Sequence, residues 1–192
     1  MKKKLFICTV LLLLLWGCTK EKDSTEAEEK KAQITHAEIV IKDYGVIKVE
    51  LYHDIAPKTV ENFINNAKNG IYDNNTFHRI IDGFMIQGGA DRSGTVEAIE
   101  GEFTSNGFEN NLKHEDGILS MARAKDPNSA TSQFFIMVAE ASWLDGEYAA
   151  FGKVTEGLEI VHQIAQDAKP VDNNGTIKAE EQPVIETVRI LD

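Results

Sequence analysis

Downstream of His36 the chain is written in short apolar runs of period two, broken by only two stretches of helical periodicity, and this pattern constrains the fold most. Ala37, Ile39 and Ile41 form one alternating set, Asp43-Tyr44-Gly45 supplies a turn, and Ile47, Val49 and Leu51 form a second set. Two such runs across a short turn predict a β-hairpin. Further β-like runs lie at 77–81, 84–87, 118–121, 134–138, 151–154 and 184–190. Pro57 opens a helical pattern with Val60, Phe63, Ile64 and Ala67 on one face and Gly70 as its stop, the usual order of a proline start and a glycine end. A second helix is expected over 158–165, with Leu158, Val161, Ile164 and Ala165 on its apolar side. One helix early and one late among many strands is not the regular alternation that builds a parallel sheet. A mainly β fold is expected, best met by a closed antiparallel barrel with two helices. The pattern alone leaves a sandwich open.

With 192 residues and 42% hydrophobic side chains, the chain is sized for one domain with a sizeable core. Its formal charge is −11, which makes nucleic acid and anionic headgroups poor partners for the folded part. The three cations Lys2, Lys3 and Lys4 sit ahead of an apolar run from Leu5 to Trp16, the layout of a targeting segment. That run falls short of the roughly twenty residues that span a bilayer. It ends Leu15-Trp16-Gly17-Cys18, which resembles the bacterial lipobox, with Trp16 where a small or aliphatic residue is usual. The resemblance implies a signal peptide over 1–17 and a mature chain whose Cys18 carries acyl lipid such as palmitate. A plain signal peptide with an incidental Cys18 is the alternative. With Cys8 lost in the leader, no cysteine would remain for a disulfide, a thiolate nucleophile or a metal. Residues 19–33 hold no aromatic or large aliphatic side chain and cannot bury enough surface to fold alone. They read as a tether reaching on the order of 20 Å, so the expected division is 18–34 for lipidated cysteine and tether and 35–192 for the folded domain.

The stretch Phe77-His78-Arg79-Ile80-Ile81-Asp82-Gly83-Phe84-Met85-Ile86-Gln87-Gly88-Gly89 sets Arg and Gln among large apolar residues. Strict alternation would put Phe77, Arg79 and Ile81 on one face and His78 and Ile80 on the other. An arginine on such an apolar face is costly unless paired or functional. From the residues alone, a structural salt bridge and a functional role stand level.

This stretch resembles the cyclophilin signature, and three later segments follow in that family's order: Gly117-Ile118-Leu119-Ser120-Met121-Ala122-Arg123, then Ser132-Gln133-Phe134-Phe135-Ile136, then Trp143-Leu144-Asp145-Gly146 leading to Phe151-Gly152-Lys153-Val154. The match runs from about His36 to Leu191. It implies an eight-stranded cyclophilin-like barrel capped by two helices and peptidyl-prolyl cis-trans isomerase (rotamase) activity on unfolded or exported polypeptides, with no cofactor or metal. Position by position, the resemblance makes Arg79 the catalytic arginine, His78 a histidine at the site's edge, and Phe84, Met85, Phe135 and Leu144 the pocket for the proline ring. Gln87 and Gln133 would hold the substrate backbone, and Ala122 and Arg123 would line the adjoining groove. Trp143 matches the position associated with cyclosporin, a further implied ligand. Asp82 stands where proline is common, Arg123 replaces an asparagine, and Tyr148 replaces a histidine at the pocket's rim.

His36, His53, His114 and His162 show no metal-ligand spacing and read as solvated or packed side chains. Asp172-Asn173-Asn174-Gly175 hints at a calcium loop, but its glycine is misplaced for an EF-hand and a turn fits better. Ser120, Ser129 and Ser132 lack a nucleophile-elbow pattern, which argues against a serine hydrolase. Two functions remain in contention: an isomerase lipid-anchored at the extracytoplasmic face of a cell membrane, and a tethered proline-peptide binding module or chaperone that needs no turnover. Arg79 favours the enzyme.

Overall fold

The computed structural model describes residues 33–192; the expected signal peptide, the lipidated Cys18 and nearly all of the tether lie outside them. In chain order the elements are β1 (Ile34–Ile41), β2 (Gly45–Tyr52), α1 (Pro57–Lys68), β3 (Asn75–Ile81), β4 (Met85–Gly88), β5 (Ile118–Met121), β6 (Phe134–Met137), β7 (Ala150–Glu156), α2 (Leu158–Asp167) and β8 (Val184–Ile190). The strands close into an antiparallel barrel in the order β1-β2-β7-β5-β6-β4-β3-β8, with β8 returning to β1. The expected hairpin is β1–β2, paired from Ile34 opposite Tyr52 to Ile41 opposite Gly45. The period-two sets Ala37, Ile39, Ile41 and Ile47, Val49, Leu51 are all buried in one core. Closure removes the sheet edges that an open sheet would expose.

The barrel interior is a packed core. Phe63 of α1 packs against Tyr72, Phe134 of β6 and Phe151 of β7, and Phe134 packs in turn against Tyr72 and Phe77 of β3, at centroid distances between 5.0 and 6.1 Å. Leu119, Met121, Ile86 and Ile136 fill the space around them. Pro57 takes the first turn of α1, as expected. The backbone N–H groups of Lys58 and Thr59, which have no partner within the helix, donate to the buried Glu102 carboxylate at 3.0 and 2.8 Å. A carboxylate at a helix start also suits the helix dipole. Glu102 lies some forty residues from the helix it caps, beyond the reach of a local capping signal.

A second apolar cluster lies on the opposite face of the sheet. Met85, Ile118, Phe135, Met137, Leu144 and Ala150 pack there, flanked by Ile81, Phe84, Ala122 and Tyr148. Along β4 and β6 the alternation is regular, with Ile86, Phe134 and Ile136 inward and Met85, Phe135 and Met137 outward. β3 departs from it: Phe77 pairs with Gly88 while Arg79 pairs with Gln87, so His78 is an extra residue in the ladder. The bulge reverses the parity of the strand. Phe77 and Ile80 both point into the interior core and Ile81 packs on the outer cluster, which corrects the strict alternation expected from the sequence. Arg79 therefore does not share a core face with Phe77.

Phe63→Ala removes the ring shared by Tyr72, Phe134 and Phe151, and the resulting cavity should cost about 3 to 5 kcal/mol of stability, read as a lowered midpoint of denaturant unfolding.

Candidate active site

Across the outer face of the sheet the register lines up one row of directly opposed residues: Arg79 on β3, Gln87 on β4, Phe135 on β6 and Ser120 on β5. Residues opposed in this way have touching side chains, so the row brings a guanidinium, an amide and an aromatic ring to one place. A cavity of about 260 Å³ opens over it, lined by Arg79, Phe84, Met85, Gln87, Ala122, Arg123, Phe135, Leu144 and Tyr148. A second cavity of about 290 Å³ adjoins it and shares Gln87, Ala122 and Arg123, adding Gln133, Ser129 and Thr131. The first is walled by aromatic and aliphatic side chains with one free polar edge. The second is polar.

That polar edge is tightly organised. Arg79 Nε donates to the Asn174 carbonyl at 2.8 Å, and Nη1 donates to Gln87 Oε1 at 3.1 Å with Met85 Sδ 3.6 Å away. Gln87 Nε2 donates in turn to Gln133 Oε1 at 3.0 Å. The chain Arg79→Gln87→Gln133 fixes which way both amides point and leaves Arg79 Nη2 without a partner among the described residues. No carboxylate pairs with Arg79 among these contacts, so the salt bridge open at the sequence level is absent from them. The guanidinium is aimed by neutral acceptors and keeps its full charge for a ligand.

Asn174 is the residue that the sequence pattern missed. It sits in the turn expected at 172–175, where Asp172 accepts from the Asn174 and Thr176 N–H groups and the Thr176 hydroxyl. That turn pairs with β3: Ile80 N–H donates to the Gly175 carbonyl and Ile177 N–H to the His78 carbonyl. The carboxylate of Asp172 is thus consumed by its own loop, and the loop is a brace for the arginine strand. Gly175 adopts φ 84°, and a Cβ there would lie 2.5 Å from Ile81 Cγ1 and 2.6 Å from the Ile80 carbonyl oxygen.

The remaining candidates divide. Phe84, Met85, Phe135, Leu144, Ala122, Arg123 and Tyr148 all line the first cavity with Arg79 and Gln87, and Gln133 lines the second. Arg123 is not a free cation: Nε and Nη2 donate to the Glu147 carbonyl, Nη1 to the Ala124 carbonyl, and the guanidinium carbon lies over the rings of Phe103 and Tyr148, 5.0 and 4.6 Å from their centroids. It forms a flat partition between the two cavities. Trp143 stands outside both, 67% exposed, with its ring 5.8 Å from that of Phe84. His78, at the bulge, is also outside both linings; burial, and then the Arg79 charge, hold its imidazole below the usual histidine range.

An aromatic and aliphatic pocket thus stands on the outer wall of the barrel, with the Arg79 guanidinium aimed along one edge of it. Residues 36–192 match the family model described as cyclophilin type peptidyl-prolyl cis-trans isomerase/CLD. The chain is 36% identical over 156 residues to peptidyl-prolyl cis-trans isomerase B of Escherichia coli, covering 77% of this chain and 95% of that one. It is 41% identical over 165 residues to peptidyl-prolyl cis-trans isomerase cyp15 of Rhizopus delemar, covering 81% of this chain but only 26% of that longer protein. The crystal structure of a Cryptosporidium parvum cyclophilin type peptidyl-prolyl cis-trans isomerase superposes with a TM-score of 0.70 at 31% identity, over 83% of this chain and 99% of that one, and a second structure of it was obtained in the presence of the dipeptide Ala-Pro. The chain belongs to the cyclophilin-type peptidyl-prolyl cis-trans isomerases.

Gly175→Ala forces a positive φ on a side chain with no room, so it should cost more than about 1 kcal/mol and displace the carbonyl that holds Arg79 Nε. Exchange spectroscopy on a proline peptide should then show catalysis reduced by about tenfold in the fraction that remains folded.

Proposed function

We propose that this domain accelerates rotation about Xaa-Pro bonds in exported polypeptides, tethered by lipid at Cys18 to the extracytoplasmic face of a cell membrane. A prolyl amide resists rotation by roughly 18 to 20 kcal/mol because the nitrogen lone pair is delocalised into the carbonyl. At the twisted midpoint the nitrogen recovers that lone pair and becomes a hydrogen-bond acceptor, so a donor placed there stabilises the transition state more than either ground state. Arg79 is that donor. The observation that carries the reading is its anchoring: with Nε on Asn174 and Nη1 on Gln87, the guanidinium of this cavity-lining residue is held in place before any peptide binds and need not be ordered during the reaction.

Phe84, Met85, Phe135 and Leu144 hold the proline ring, while Gln87 and Gln133 hold the peptide backbone beside it and leave the preceding carbonyl free to turn. Ala122, Arg123 and Tyr148 wall the groove for the residues before proline, His78 sits at its edge, and Trp143, its ring tilted against that of Phe84, extends the rim where cyclosporin would bind. Proline-containing peptides are the substrate class; the Ala-Pro structure of the Cryptosporidium relative supports it. The leader with Lys2, Lys3 and Lys4, the Gly17-Cys18 junction and the tether over 18–34 support the export and anchoring part. Such a placement suits chains that emerge unfolded from a membrane. A binding module that uses the same groove without turnover is the competing function, and it has no use for an aimed guanidinium.

A charge-assisted hydrogen bond of about 1.5 to 3 kcal/mol corresponds to one or two powers of ten in rate. The full-length chain in detergent should therefore speed cis-trans exchange of a proline peptide, and Arg79→Ala should lose about ten- to hundredfold in kcat/KM while keeping the wild-type unfolding midpoint. A folded wild type without any acceleration would establish the binding module instead. Metabolic labelling with a radioactive fatty acid should mark the wild type and leave Cys18→Ser unmarked; label that persists in Cys18→Ser sinks the anchor.

A further inference from the structure

Behind the pocket wall lies a polar cluster that isomerisation does not use directly. The His114 side chain is fully buried; Nδ1 lies 3.1 Å from Asp145 Oδ1 and Nε2 lies 3.0 Å from Ser120 Oγ. Serine, imidazole and carboxylate in that order are the components of an acyl-transfer triad. Ser120, however, is fully buried and lines neither cavity, so no substrate carbonyl can reach its hydroxyl. What the cluster does reach is the pocket.

The imidazole lies parallel to the ring of Phe135, 6.1 Å between centroids at 18°. The His114 backbone N–H donates to Asp145 Oδ1 at 2.9 Å, and its carbonyl accepts from the Ala141 N–H at 2.8 Å. These two bonds clasp both ends of the short turn Ser142–Leu144, which carries Leu144 to the cavity and Trp143 to its rim. Ser120 pairs opposite Phe135 in the sheet and stands two residues before Ala122. One buried side chain thus joins the three segments that deliver Phe135, Leu144 and Ala122.

We propose that His114 is a positioning residue of the isomerase site: its neutral ring fixes Phe135 and the Leu144 turn in the arrangement that grips proline, and its protonation loosens that grip. The proposal rests on the isomerase reading above and extends it. In the neutral tautomer that the network selects, Nδ1–H donates to Asp145 and Nε2 accepts from the Ser120 hydroxyl. A second ring proton would sit on Nε2, turn the Ser120 hydroxyl away and leave its hydrogen without an acceptor in a buried place, which is costly. The charged groups acting on the ring are Asp145, from the end of the turn, and Lys113, from its own segment and itself 3.4 Å from Asp145 Oδ2; β5 and β6 present no titratable side chain. Burial holds the ring below the usual histidine range, Asp145 opposes this, and Lys113 adds to it. The group is therefore neutral at pH 7, and the penalty for charging it grows as pH falls below the ordinary histidine value of about 6.5.

The test combines NMR and kinetics on the full-length chain in detergent, from about pH 8 to pH 5, with His78→Gln present throughout so that the other histidine near the site does not titrate. The His114 Cε1–H signal and the Phe135 ring signals should shift with one midpoint, and kcat/KM for a proline peptide should fall on the order of tenfold with that same midpoint, chiefly through a rise in KM. His114→Gln keeps a donor toward Asp145 and an acceptor toward Ser120 but cannot titrate, so its acid limb should vanish. A limb that persists in His114→Gln, a flat profile in the parent, or Phe135 signals that stay fixed while His114 titrates overturns the proposal. The last readout needs no folded variant and no turnover, so a protein that binds the peptide without catalysing exchange would defeat the isomerase reading while the ring signals still decide the role of His114.

Discussion

Because β1 pairs with β2 on one side and β8 on the other, the eight strands must enclose a space, and at this strand number that space is only wide enough for side chains. Phe77, Phe134 and Phe151, joined by Phe63 from α1, fill it. A filled interior leaves no cavity for a ligand inside the barrel. Function is displaced to the outer face, where each inward residue on β4, β5 and β6 has an outward neighbour: Met85 and Gln87 beside Ile86, Phe135 beside Phe134 and Ile136, Ser120 beside Leu119 and Met121. The pocket proposed to take the substrate is the reverse side of the core, so a rigid core backs its walls.

The bulge at His78 decides what kind of pocket it is. Without an extra residue, Arg79 would follow Phe77 into the interior, where an unpaired guanidinium costs more than the fold could tolerate. With it, Arg79 joins the outward row opposite Gln87. Two neutral acceptors then hold the group by Nε and Nη1. An acidic partner would have held it as well but would have neutralised the charge that the proposed mechanism offers to the twisted amide. Arg123 shows the contrast within the same groove: its three nitrogens are spent on carbonyls, the Glu147 carboxylate lies 3.8 Å from Nη2, and the group rests over the rings of Phe103 and Tyr148, which makes it a wall.

Much of this could be read from the chain itself, and the parts that could not have a common physical cause. The β1–β2 hairpin, the start of α1 at Pro57 and the apolar runs of β5, β6 and β8 are local patterns, written within a few residues of where they act. The pocket residues from Phe84 to Gln87 and at Phe135 and Leu144 were legible through the family resemblance. What stayed hidden depends on partners far along the chain. Asn174 holds Arg79 by a backbone carbonyl, which no side-chain pattern reports. Glu102 caps a helix that begins at Pro57, Arg123 lies over the ring of Phe103, and His114 differs from the other three ordinary histidines only through Ser120 and Asp145, which the fold brings to its ring. The parity of β3 failed for a different reason: a bulge leaves no signature in hydrophobic periodicity except a break that a short strand is too brief to display.

In the proposed mechanism an arginine pre-aimed by Asn174 and Gln87 meets the prolyl nitrogen of a peptide whose ring fills the cavity beside it. The measurement that tests this most directly is a crystal structure of the protein with a short Xaa-Pro peptide bound. In such a complex the proline ring should lie among Phe84, Met85, Phe135 and Leu144, with both arginine anchors retained and Arg79 Nη2 within hydrogen-bond reach of the imide. A peptide seated elsewhere, or a guanidinium swung away from the imide to find an acidic partner, would contradict it.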